Sequence, residues 1–85
     1  MVTEYFNKGV CSQKTVVELD TDHKIIDIRI IGGCNGNLQG LAALLKGMKA
    51  EDAIERISGI RCGGRATSCP DQVANALREA IKKAE

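Results

Sequence analysis

Four cysteines, at positions 11, 34, 62 and 69, are the residues of this 85-residue chain best able to do chemistry. Thiolate sulfur is both a nucleophile and a soft metal ligand. Four thiolates can close one tetrahedral zinc site or hold an iron–sulfur cluster, and two can exchange electrons as a dithiol. No pair shows the C-x₂-C spacing common in zinc sites, so spacing alone does not choose between these chemistries. A further use is plain core filling, since cysteine also behaves as a small apolar residue. Against that reading, none of the four falls on a periodic apolar stripe of the sequence.

Cys69 has the most suggestive neighbours. It stands in Thr67-Ser68-Cys69-Pro70-Asp71-Gln72, directly before a helical pattern. Proline fits the first helical position, where its missing N–H costs nothing. Cys69 is then expected as the N-cap, with Gln72 at the third helical position. A helix start carries partial positive charge and unsatisfied N–H groups, which favour thiolate over thiol. Arg61 and Arg65 would act in the same direction. The competing reading makes Ser68 the cap and leaves Cys69 to pack.

Two glycine-rich loops adjoin the cysteines. "GGCNGNLQG", Gly32 to Gly40, joins a strand pattern to a helix pattern, and Gly63-Gly64 follows Cys62. Glycine loops at helix starts can hold phosphate through backbone N–H groups. Neither loop matches the dinucleotide fingerprint or the P-loop, so sharp turning and close approach are the expected duties. His23 is the sole histidine and is expected as a solvated turn residue. No serine–histidine–acid set can be assembled around it.

The elements that must position these residues follow from periodicity. Residues 3–10, "TEYFNKGV", read as a first strand ending in a turn at Gly9 to Gln13. Lys14 to Asp20 alternates, with Thr15, Val17 and Leu19 on one face. Lys24 to Ile31 alternates too, placing Ile26, Ile28 and Ile30 on one face and Asp27 and Arg29 on the other. Leu38, Leu41, Leu45 and Met48 then recur at helical spacing, with Asn35 or Asn37 as cap and Gly47 as stop. Ala53, Ile54 and Ile57 form the inner face of a short second helix, stopped at Gly59. Val73, Ala76, Leu77, Ala80, Ile81 and Ala84 give the third. The order implies one α+β domain over residues 1–85, a three-stranded antiparallel sheet followed by three helices packed on one face (βββααα).

Composition bounds the function classes. Twelve basic against eleven acidic residues leave a net charge of +1, which gives no footprint for nucleic acid or an anionic membrane. Two aromatics, Tyr5 and Phe6, are too few for a base-stacking platform. No apolar run approaches the length of a membrane span, and the N-terminal stretch has no apolar signal core. A cytoplasmic protein is therefore expected. In a reducing compartment four cysteines favour metal or thiol chemistry over disulfides.

"GVCS", "GGCNGNLQGL" and "GIRCGGRATSCPDQ", taken in order, resemble the small stand-alone TSCPD-domain family over nearly the whole chain. Related domains lie at the C-terminal end of some adenosylcobalamin-dependent ribonucleotide reductases. The resemblance thus implies a ribonucleotide-reductase-related context, a reductase-like protein partner and the label of ribonucleoside-diphosphate reductase. Eighty-five residues cannot hold a radical-bearing barrel, so that catalysis is not expected of this chain alone. The same context implies nucleotide binding through Gly33, Asn35, Gly36, Gly63 and Gly64. Residues 22–62 are also similar to the core of iron–sulfur cluster scaffold proteins, with Cys34 and Cys62 at matching places. The scaffold's aspartate has no counterpart, so this likeness supports the architecture more than cluster assembly. Together these readings make Cys11, Cys34, Cys62 and Cys69 the expected ligands of zinc or an iron–sulfur cluster. Cys34, Cys62 and Cys69 are expected to converge, and the chain could also pair with itself.

Overall fold

The computed structural model describes residues 2–10, 12–33, 35–61, 63–64 and 67–84. Strands β1 (Val2–Phe6), β2 (Ser12–Leu19) and β3 (Ile25–Gly32) form one antiparallel sheet in the order β1-β2-β3. Helices α1 (Asn35–Leu45), α2 (Ala50–Ile57) and α3 (Cys69–Ala84) follow. This is the expected βββααα arrangement, an α+β fold. Helix α3 lies against β1 and β2, α1 against β3, and α2 against α3.

Alternation builds β2 as expected: Thr15, Val17 and Leu19 are buried, and Lys14, Val16 and Glu18 point to the other face. Strand β3 departs from the expectation. Ile25, not Ile26, turns inward, at 1% exposure against 51%. The cause is a bulge. Val17 pairs with Ile28 and Glu18 with Asp27, but Leu19 pairs with Ile25, so Ile26 is the extra residue. A bulge breaks the period of two on which the expectation rested. The segment after α1 pairs with the outer edge of β3 at this point. Ile25 N–H donates to the Met48 carbonyl at 2.9 Å, and Gly47 N–H donates to the Ile25 carbonyl at 2.9 Å. Ala50 N–H donates to the His23 carbonyl at 2.8 Å.

The helices bury the residues their spacing selects. Leu38 and Leu45 of α1 are buried and Leu41 is half-buried. Asn35 is the first helical residue of α1 and Asn37 the third, so neither holds the expected cap position. Helix α2 buries Ala50, Ala53 and Ile57, and Ile54 is half-buried. Gly47 and Gly59, which follow α1 and α2, hold φ of +87° and +83°, where a side chain would be strained. Helix α3 buries Val73, Ala74, Ala76, Leu77 and Ala80 in the common core with Val17, Leu19, Ile25 and Ile28.

His23 is the turn residue expected, with φ +64°. It also ties the turn to α2: Nδ1 lies 2.7 Å from Glu51 Oε2. That hydrogen bond, with a backbone N–H, holds the Glu51 carboxyl below its ordinary value. No helix among the described residues is long and apolar enough to cross a membrane.

Candidate functional site

The start of α3 meets the β1–β2 loop and the end of α2 at one corner of the domain. Ser68 is the N-cap, not Cys69. Its hydroxyl accepts from Asp71 N–H at 3.2 Å, and its carbonyl accepts the first helical bond, from Gln72 N–H, at 2.9 Å. A capping oxygen three residues ahead of the N–H it accepts from is the favoured N-cap geometry. Serine oxygen is the stronger acceptor, which explains why it takes the position from the neighbouring sulfur. Cys69 becomes the first helical residue and Pro70 the second.

Every other polar side chain of the motif is also committed. The Thr67 hydroxyl donates to Asp71 Oδ2 at 2.5 Å and accepts from Gln72 Nε2 at 2.9 Å. Asp71 Oδ1 accepts from Gly59 N–H at 2.7 Å, which fastens the end of α2 to α3. Gln72 Oε1 accepts from Lys8 N–H at 3.0 Å, which fastens the β1–β2 loop. The Thr67 hydroxyl bond, followed by the Gly59 N–H, holds the Asp71 carboxyl below its ordinary value of 3.8. Gly9 brings the β1–β2 loop close to the motif. A Cβ there would meet Thr67 Cγ2 at 3.4 Å.

Cys69 accepts from a chain of hydrogen bonds that runs through the β1–β2 hairpin. Asn7 Nδ2 donates to Ser12 Oγ at 2.8 Å, and the Ser12 hydroxyl donates to Cys69 Sγ at 3.2 Å. The Thr15 hydroxyl donates to Asn7 Oδ1 at 2.9 Å, which fixes the orientation of the amide. Ser12 is buried, and Cys69 is half-buried. A donor aimed at sulfur stabilises thiolate, as does the helix start. Asn7, Ser12 and Thr15 were missing from the sequence-based set. Their one signal was small polar residues clustered around a strand–turn–strand, which also describes an ordinary hairpin.

The other expected residues divide in two. Cys11, Cys34, Cys62 and Arg65 lie outside the described residues. Arg61 is exposed. Gly33 and Gly63 are exposed, with φ of +75° and +58°. Asn35 is the first residue of α1. Gly36 and Gly64 are exposed, and a Cβ built on either meets nothing within 4 Å among the described residues. The close approaches fall instead at Gly9 and at Gly32, where a Cβ would come within 3.2 Å of Gln13. Among the described residues no three histidine, cysteine or carboxylate side chains form a group able to hold a metal.

A βββααα domain whose third helix is opened by a hydrogen-bonded Thr-Ser-Cys-Pro-Asp turn defines the class. The model of the TSCPD domain matches residues 1–81, and the chain belongs to that family. No curated protein and no solved structure gives a significant match.

Proposed function

We propose that this TSCPD domain is a thiolate metal-binding module, in which Cys11, Cys34, Cys62 and Cys69 hold one zinc ion or a small iron–sulfur cluster. The observation that carries the reading is the contact of Ser12 with Cys69. Ser12 follows Cys11 in the chain and pairs across the sheet with Gly32, two residues before Cys34. Gly59, bonded to Asp71, precedes Cys62 by three residues. Consecutive Cα atoms are about 3.8 Å apart, so Ser12, Gly32 and Gly59 bring chain segments one, two and three residues from Cys11, Cys34 and Cys62 toward the start of α3. The donor chemistry fits: the Ser12 hydroxyl and the helix start both favour the sulfur anion that a metal requires. A bound metal would add stability to a small core and would supply either structural closure or electron transfer.

The test is elemental analysis of chain purified without oxygen, before and after Cys69→Ser and Cys34→Ser. About one zinc, or a cluster's iron and sulfide, per chain is expected, lost in both variants. Cobalt substitution should add sulfur-to-metal charge-transfer absorption. Metal-free protein that also fails to take up zinc or cobalt refutes the reading.

Thiol exchange is the second reading, favoured by the hydroxyl aimed at Cys69. In it the Cys69 thiolate attacks a partner's disulfide, one partner sulfur leaves as thiolate, and a second cysteine of this chain resolves the mixed disulfide. Removal of the donor tests it. One hydrogen bond to an ionised group is worth about 1 kcal/mol or more, so Ser12→Ala should slow alkylation of Cys69 at neutral pH about fivefold. An unchanged rate in metal-free protein removes the Ser12 role. For either chemistry the partner proposed is a reductase-like protein of ribonucleotide metabolism, on the strength of the family relationship alone.

A further inference from the structure

Among the described residues the helices cover one face of the sheet, and the other is open. Strand pairing lays that open face out as three rows. Phe6, Lys14 and Ile31 form the first, Glu4, Val16 and Arg29 the second, and Val2, Glu18 and Asp27 the third. Phe6 is 68% exposed, Val2 61% and Ile31 43%, a large apolar share for one side of a small sheet. A depression of about 200 Å³ in it is lined by Val2, Val16, Glu18, Asp27 and Arg29. Two cations and three carboxylates alternate with these apolar groups. Lys14 Nζ lies 3.6 Å from Glu4 and 5.8 Å from the centre of the Phe6 ring. Arg29 Nε lies 3.4 Å from Asp27.

We propose that this face docks a second copy of the chain, sheet on sheet, with the strands crossing at close to a right angle. Orthogonal stacking is one of the two common ways that sheets pack. Strands about 4.8 Å apart and same-face residues about 6.8 Å apart along a strand make a nearly square grid, which a quarter turn carries roughly onto itself. Consider a two-fold axis running in the interface along the diagonal from Phe6 to Asp27. It sets Glu4 against the second copy's Lys14, Glu18 against its Arg29 and Val2 against its Ile31. Phe6 and Val16 meet their own counterparts. So does Asp27, but each copy of that carboxylate is flanked by Arg29 and by Lys46 Nζ at 3.3 Å. The other diagonal would set Glu4 against Glu18 and Lys14 against Arg29, like charge on like charge. The charge pattern therefore selects one crossing of the two. It does not suit a nucleic acid or an anionic surface, because both signs are interspersed.

The face is about 14 Å wide and 17 Å long, from three strands over the five-residue length of β1. That is smaller than the roughly 800 Å² per partner of a standard interface, so the dimer should be weak and reversible. Sedimentation equilibrium of the full reduced chain, from about 1 µM to 1 mM, should show dimer growing with concentration. Arg29→Glu and Glu18→Arg each set like charges across the axis and should each weaken dimerisation tenfold or more. An equimolar mixture of the two variants restores both pairs and should recover dimer at close to wild-type affinity. Circular dichroism checks that each variant is folded, and Arg29, with its side chain 75% exposed, can be changed at small cost to the fold. A chain monomeric throughout overturns the proposal. So does a dimer indifferent to both reversals, or a mixture that associates no better than its components.

Discussion

Leu77→Ala should be the most damaging simple truncation in this domain. Leu77 is fully buried, and its neighbours on the inner face of α3 are Val73, Ala74, Ala76 and Ala80. A helix face built mainly of alanine has no long side chain that can swing into a void. Truncation of a buried leucine costs about 2–5 kcal/mol, the upper part applying where the site cannot collapse. About 3 kcal/mol or more is therefore expected here. A domain of this length has about 4–13 kcal/mol in total, at 0.05–0.15 kcal/mol per residue. The loss should lower the melting temperature by about 12 °C or more, taking about 4 °C or more per kcal/mol for a domain of this size. The assay is urea unfolding followed by circular dichroism, with thermal melts alongside. Leu44→Ala is the control: the residue is 77% exposed on α1, and its loss should change stability by less than about 0.5 kcal/mol. A Leu77→Ala loss below about 1 kcal/mol would mean that α3 does not seat on the sheet by this face, and would refute the packing described.

Thr3 offers a change of the opposite sign. Its hydroxyl is buried with no partner among the described residues, so Thr3→Val should raise stability by about 1 kcal/mol in the same urea assay; a loss would show that the hydroxyl is satisfied. Asp71 gives a pH dependence. Its folded-state pKa is depressed, chiefly by the Thr67 hydroxyl and then by Gly59 N–H, so its contribution is fully present above the ordinary value of 3.8 and is lost as pH falls through the lower folded value. The melting temperature should fall on acidification below about pH 4, and Asp71→Asn should be less stable at pH 7 and lose part of that acid dependence. An Asn variant with the wild-type acid profile would place the dependence on other carboxylates, such as Asp27 and Glu51, which Lys46 and His23 hold down in the same way.

Periodicity carried most of the fold. Thr15, Val17 and Leu19 alternate because β2 is the central strand with one covered face, and α3 shows its stripe because it is long and seats on that face. Ile25 and Ile26 could not be told apart in the same way. Both are isoleucine, and the choice between them is made by the Gly47–Ala50 segment, which lies more than twenty residues away in the chain. The cap was misassigned for a related reason. Ser68 and Cys69 are adjacent small residues with lone pairs, and Pro70 is tolerated at either of the first two helical positions. Geometry decides for serine: its oxygen reaches Asp71 N–H, while the sulfur faces Ser12 on another strand. The contact of Ser12 with Cys69 spans 57 positions and has no local signature.

The motif's residues therefore carry two separable duties. Thr67, Ser68, Asp71 and Gln72 hold α3 to the end of α2 and to the β1–β2 loop, through bonds to Gly59 and Lys8. Replacing any of them disturbs the corner as a whole, and any loss of thiol or metal chemistry that followed would be ambiguous. Cys69 Sγ accepts from Ser12, and that bond fastens no backbone group. Within the motif, then, the sulfur is the group whose chemistry can be removed while the cap remains. Serine at 69 keeps a small side chain beside Ser12 and leaves the Ser68 cap intact. Loss of metal in a Cys69→Ser chain that still melts normally would separate ligation from folding. Equal loss of metal in Asp71→Asn would not, because that variant also weakens the bonds from Thr67 and Gly59 that fasten the start of α3 to the end of α2.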